Sequence, residues 1–215
     1  MSHAQQQELS AEHALKWASI KFLQHVPDDV TLLPGTNMRF CEAVARAGEG
    51  EWILTPETVC CQGAQRCFGW LKGAERELAC KLADRMATSV AIARKTITEV
   101  PTLPLGFEAV WVGTDTAPDV YVSYMLPETA MHIVRSWQRV FGENLPVCVS
   151  CVMAVCGSAV VNSYVNHAVS LSFGCPDSRR YGGIQPEQLV VAMPADLREK
   201  MKELSGACDT SFSRG

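Results

Sequence analysis

The sequence predicts an α/β or α+β fold in which short strands alternate with helices, and three observations predict it. Short β-branched and aromatic runs recur at residues 109–113 and 119–124, with Val110, Trp111 and Val112 in the first and Val120, Tyr121 and Val122 in the second. Longer stretches at 74–95 and 127–141 carry apolar residues at helical spacing. Proline and glycine punctuate the chain between them, and helices and strands interleave throughout, which argues for packed mixed layers.

Taken in order, residues 10–24 place Ala14, Trp17, Ala18, Phe22 and Leu23 at helical spacing and predict an amphipathic helix. Pro27 ends it, and residues 30–33 predict a short strand. After the loop at Pro34-Gly35, Thr36 or Asn37 suits the N-cap of a helix over 39–47. Residues 51–54 read as a strand, 56–67 mix turn and helix signals, and 74–95 read as one long helix, with a break at 101–105. Past the two strands, Pro127 and Glu128 open a helix to Phe141, because proline is tolerated in a first turn and an early glutamate suits the dipole. Residues 146–159 are apolar and cysteine-rich, with Cys156-Gly157-Ser158 expected to stop that segment. A strand is expected within 167–173, another at 189–193, and a last helix from Pro194 to about Leu204.

The 215 residues are 47% hydrophobic and 20% charged, which is ordinary globular composition, read as one domain over 1–215. A formal net charge of -4 gives no electrostatic reason to expect nucleic acid or acidic lipid. No long apolar run predicts a membrane span, and the polar, glutamine-rich start is wrong for a secretory signal, so the expected location is cytoplasmic. No phosphate loop, dinucleotide fingerprint, nucleophile elbow or paired histidine motif occurs.

Cysteine is the unusual component, with 10 in the chain. In a reducing compartment clustered thiols more often ligate metal or react than form disulfides. Cys80 and Cys208 read as packing or tail residues; most of the others sit beside glycine, arginine or another cysteine. The two halves, about 10–100 and 105–205, also echo each other. Cys41 precedes a strand-like run and Cys61 follows it; Cys151 and Cys175 stand in the same relation. Aligning Cys61 with Cys175 puts Arg66 on Arg180 and Gly69 on Gly183. The intervals are close but unequal, 20 residues from Cys41 to Cys61 and 24 from Cys151 to Cys175. If the repeat is real, two cysteines from each half converge on one site.

Four thiolates suit zinc or an iron–sulfur cluster. Zinc is under-signalled, since Cys148-x-x-Cys151 is the one tight pair and Cys60-Cys61 is adjacent. Cys148-x-x-Cys151-x-x-x-x-Cys156 contains ferredoxin spacings in reversed order. Arg66, Arg179 and Arg180 could balance a cluster's negative charge, and Gly63, Gly174, Gly182 and Gly183 let backbone approach it.

Arg39-Phe40-Cys41-Glu42-Ala43-Val44, Cys61-Gln62-Gly63-Ala64 with Phe68-Gly69, Cys151, and Ser172-Phe173-Gly174-Cys175-Pro176-Asp177-Ser178-Arg179 together resemble the domain of unknown function 169 family, found largely in archaea and anaerobic bacteria. The resemblance spans about residues 11–204, including Val190-Val191-Ala192-Met193-Pro194. It implies four matching cysteines, Cys41, Cys61, Cys151 and Cys175, the same four that the repeat selects; the family name assigns no reaction. This chain carries Cys60 beside Cys61, which leaves the choice between those neighbours open.

The expectation is a redox or electron-transfer protein with one [4Fe-4S] cluster on Cys41, Cys61, Cys151 and Cys175, surrounded by Arg66, Arg180, Gly63 and Gly174. Its admissible partners are a redox protein and a second copy of the chain. The alternatives are a zinc-stabilised structural module, and a thiol enzyme using Cys148 and Cys151.

Overall fold

A computed structural model describes residues 16–27, 37–71, 73–114 and 117–208, with side chains described as far as Met201. Its centre is a six-stranded antiparallel sheet, so the fold is mixed α and β. The strands are β1 (Ala18–Leu23), β2 (Trp52–Leu54), β3 (Ala109–Gly113), β4 (Val120–Met125), β5 (Ser170–Ser172) and β6 (Leu189–Pro194), in the spatial order β2-β3-β1-β4-β6-β5. The helices are α1 (Phe40–Ala45), α2 (Gln62–Cys67), α3 (Glu75–Arg85), α4 (Val90–Glu99), α5 (Pro127–Phe141), α6 (Asn162–Asn166), α7 (Pro176–Tyr181) and α8 (Ala195–Cys208); a π-helix, Ala154–Val161, runs directly into α6.

Strand periodicity assigns the two faces. Ile20, Phe22, Val120, Val122, Val190 and Ala192 join the larger core with α1, α2, α3, α4 and the π-helix. Their alternates Tyr121, Met125, Val191 and Met193 turn to a smaller core completed by Trp137 of α5 and Leu197 of α8. One side of the sheet, β2-β3-β1, sets β3 of the second half between the two first-half strands, and the other side is β4-β6-β5. The halves pair at three places, β2 with β3, β1 with β3, and β1 with β4, where Ile20 faces Val120 and Ala18 faces Val122.

Four expectations are corrected. The segment around Trp17 is not helical: Ala18, Ile20 and Phe22 also alternate, and β1 forms ladders with both β3 and β4, non-local pairing that overrides the local helical pattern. The helix bearing Cys41 begins at Phe40, beside the expected start at 39, but its N-cap is Arg39 and not Asn37. Met38 is held extended by a bridge to Val59, with Met38 N–H donating to the Thr58 carbonyl at 3.0 Å. The long helix over 74–95 is two helices: Ala87 takes a positive φ of 49°, and the Ser89 hydroxyl caps α4 by accepting from Ile92 N–H at 3.3 Å. Cys156-Gly157-Ser158 does not stop a segment but lies inside the fully buried π-helix. A side chain at Gly157 would place its Cβ 2.3 Å from Val100 Cγ1 and 2.8 Å from Cys67 Sγ, so glycine serves there as a packing residue rather than a terminator. The expected strand at 30–33 and Thr36 lie outside the described residues.

Candidate functional site

The larger core contains a cavity of about 350 Å³, and Cys41, Cys61, Cys151 and Cys175 all line it, joined by Cys156. Each cysteine arrives on a different element. Cys41 is the second residue of α1, Cys61 is the N-cap of α2, Cys175 is the N-cap of α7, and Cys151 lies just before the π-helix. A chain entering a helix presents free N–H groups, and one of the sulfurs uses them. Cys175 Sγ accepts from Ser178 N–H at 3.4 Å, in a capping box whose other arm runs from Cys175 N–H to Ser178 Oγ at 2.7 Å. Cys61 makes no such capping bond, although its thiol lies near enough to the Ala64 and Gly63 N–H groups to feel them.

The deep side of the ring is tightly built. Cys41 is 8% exposed, and its carbonyl accepts from the Tyr124 hydroxyl at 3.2 Å. Gly182 lets α7 close on it, since a Cβ there would lie 2.9 Å from the Cys41 carbonyl oxygen and 3.0 Å from its Cβ. Burial pushes the Cys41 thiol up to about 12, reinforced by the neighbouring Cys175 and Cys61 and opposed by Arg39. Burial also raises Cys61, against the pull of the Ala64 and Gly63 N–H groups and of Arg39. Cys156 is raised well above its usual range, first by a hydrogen bond with the Cys67 thiol and then by burial, with Cys61 and Cys175 close enough to add repulsion. Among the described residues no three His, Cys, Asp or Glu side chains meet at single-ion distance; the thiols surround the cavity instead.

The rim is cationic. Asp177 accepts from Arg85 Nη2 at 2.8 Å and Nη1 at 3.3 Å, and from Arg39 Nη1 at 3.2 Å. Its carboxyl is therefore held below the usual range, chiefly by the Arg85 hydrogen bond. Two guanidiniums and one carboxylate leave one positive charge beside the thiols. Arg39 also lies 4.2 Å from the centre of the Tyr181 ring.

Of the non-cysteine residues predicted for the site, Gly63 lines the cavity, where a Cβ would come within 2.9 Å of Met153 Cγ. Gly174 is not in the cavity wall; its φ of +78° turns the chain into α7. Arg66 sits elsewhere, its Nη1 donating to the Val100 carbonyl at 2.6 Å. Arg180 lies 5.3 Å from the Tyr181 ring centre, outside the cavity wall, although its charge also lowers Asp177. Arg179 clamps backbone, donating to the Phe173 and Gln185 carbonyls. Arg39, Arg85, Asp177 and Tyr124 are what the sequence reading missed. Arg39 and Asp177 were within reach, since both flank cysteines in the quoted motifs. Arg85 carried no local signal, because its partner Asp177 is 92 residues away. Cys148 is not in the cavity wall; its thiol donates to the Glu99 carbonyl at 4.0 Å and is raised by burial, the opposite of what a reactive thiolate needs.

The donor set fits an iron–sulfur cluster. The sulfurs are soft ligands, Cys175 receives an N–H hydrogen bond, and the adjacent arginines suit an anionic occupant. The model of the DUF169 family, described as uncharacterised ArCR, matches residues 16–203. An uncharacterised protein of Methanocaldococcus jannaschii, MJ0308, is 27% identical over 205 residues, covering 91% of this chain and 85% of that protein. No solved structure matches.

Proposed function

Because the chain belongs to the DUF169 family, whose description assigns no activity, we propose its function from the site itself: it binds one [4Fe-4S] cluster and serves in redox or electron transfer. The observation that carries this reading is that Cys41, Cys61, Cys151 and Cys175, two from each half, line one cavity beside Arg39 and Arg85. Thiols spread around a chamber suit a polynuclear cluster better than thiols that meet at a point, as zinc requires.

In this reading Cys41, Cys61, Cys151 and Cys175 hold the cluster, which when bound supplies one-electron chemistry. Ser178 N–H donates to the Cys175 sulfur, and Arg39 and Arg85 add positive charge; both favour the reduced state and raise the potential. The apolar walls, with Phe40 and Ile97 among them, keep water from the buried side. The same reading takes the two halves as related, since each contributes a strand followed by a cysteine-capped helix, β2 with Cys61 and β5 with Cys175. A redox protein is the natural partner.

The test is anaerobic purification followed by counts of iron, zinc and acid-labile sulfide per chain. About four iron and four sulfide support the reading. One zinc without sulfide replaces it with a structural module, and a metal-free chain returns attention to thiol chemistry.

A further inference from the structure

We propose that Cys151 is the exchangeable member of the thiol ring, and that the position it vacates accepts a small carboxylate with an apolar body, anchored by Arg39. This rests on the cluster reading and assigns the four cysteines unequal roles.

Three of them are fixed by their surroundings. Cys41 is buried on α1 under Tyr124 and against Gly182. Cys61 and Cys175 are helix N-caps, Cys61 packed against the larger core and Cys175 accepting from Ser178 N–H. Cys151 has neither support. It is exposed, and it follows residues 144–150, which have no regular secondary structure. Two residues later Met153 turns the backbone with a positive φ of 52° before the π-helix begins. Swinging this side chain from the cavity to solvent breaks no buried packing.

The cavity also offers more than thiols. Leu78, Leu82, Met86 and Ile97, on the α3–α4 hairpin, give it an apolar wall that no cluster ligand requires. At the polar end Arg85 grips Asp177 with two N–H groups, whereas Arg39 engages it through Nη1 alone. Guanidinium matches a carboxylate in charge and in planar geometry. An apolar body against the hairpin with its carboxylate towards Arg39 satisfies both ends. The exchange breaks the bond from the Cys151 sulfur, which leaves as a thiolate and takes a proton from water. The incoming carboxylate forms the replacing bond, and no oxidation state changes.

Serine variants of Cys41, Cys61, Cys151, Cys156 and Cys175, purified without oxygen, test this by iron and sulfide content and by the electron paramagnetic resonance of the reduced protein with and without butanoate. Cys151→Ser should keep most of the wild-type iron and sulfide, while Cys41→Ser, Cys61→Ser and Cys175→Ser lose most of theirs. Butanoate should shift the spectrum of the wild type and of Cys151→Ser, and Arg39→Gln should weaken that response about tenfold, the scale of one charge-assisted hydrogen bond. Loss of iron in Cys151→Ser as severe as in the others makes it a fixed ligand and overturns the proposal. Loss in Cys156→Ser with retention in Cys151→Ser makes Cys156 the fourth fixed ligand, which closes the position and also overturns it. An unchanged spectrum with butanoate overturns the ligand assignment. Wild-type protein without iron and sulfide is a separate result that removes the cluster reading itself. Exposure of Cys151 makes its serine variant foldable, and a thermal melt of each variant checks this.

Discussion

At the residue scale, the thiol of Cys41 stands at about 12 against an ordinary 9.0 because burial disfavours its charged form. A group whose folded value is raised contributes stability that is complete below the unfolded value and lost as pH climbs towards the folded one. In the metal-free chain that window runs from about pH 9 to about 12. The three-unit gap is worth on the order of 4 kcal/mol at its upper end, and the raised Cys61 and Cys156 act in the same direction. The melting temperature of metal-free protein should therefore fall steadily above pH 9, and Cys41→Ala should flatten that dependence. Metal must displace these protons, so reconstitution should be more complete at pH 8.5 than at pH 7. The arginines can also be separated. Arg39→Gln removes charge at the cavity and should lower the reduction potential of the loaded protein. Arg66→Gln removes a hydrogen bond to the Val100 carbonyl and should cost about 1–3 kcal/mol of stability, leaving the potential little changed. Protein-film voltammetry and urea denaturation distinguish the two outcomes.

At the element scale, the π-helix Ala154–Val161 decides how the second half reaches the site. All eight of its residues are buried, and it places Val155 and Cys156 in the cavity wall. It can lie this close to α2 and Val100 because residue 157 has no side chain. Gly157→Ala sets a methyl 2.3 Å from Val100 Cγ1 and 2.8 Å from Cys67 Sγ, and both neighbours are packed in the core. Overpacking of this kind costs about 1–3 kcal/mol, and a urea titration should show the midpoint falling accordingly. The double variant Gly157→Ala with Val100→Ala should recover part of that loss, since it removes the nearest clash. The break between α3 and α4 serves the same chamber. A continuous helix would direct Leu82 and Ile97 along one line, whereas the turn at Ala87 folds α4 back so that both line the cavity.

At the scale of the whole molecule, the halves share a sheet, β1 and β2 pairing with β3 and β1 with β4, and share a cavity through their cysteines. A ligand gripped by both halves binds the folded chain and not the unfolded one, so it stabilises by mass action. If the protein holds the proposed cluster, removing it with a chelator and an oxidant should lower the melting temperature and lose the transition's sharpness, as followed by calorimetry under nitrogen. Cys175→Ser should do the same without a chelator, because it withdraws a second-half ligand. If the melt is unchanged in both cases, the cysteines do not tie the halves together. Among the described residues no helix is long and apolar enough to cross a membrane.

The sequence by itself determined the mixed α and β class, most of the helices and strands after residue 100, and four of the five cysteines that line the cavity. Those followed from local signals: Pro127 opening a helix, β-branched runs, and cysteines set in recurring short motifs. Tertiary structure alone decided that Ala18–Leu23 is a central strand, because its two partners lie some 90 and 100 residues downstream. It also decided that Gly157 packs where it looked like a stop, and that Arg39 and Arg85 stand at the cavity while Arg66 points elsewhere. Spacing along the chain reports which face a residue occupies within its own element. Which charge faces which thiol depends on how distant elements pack, and neighbouring residues carry no trace of that.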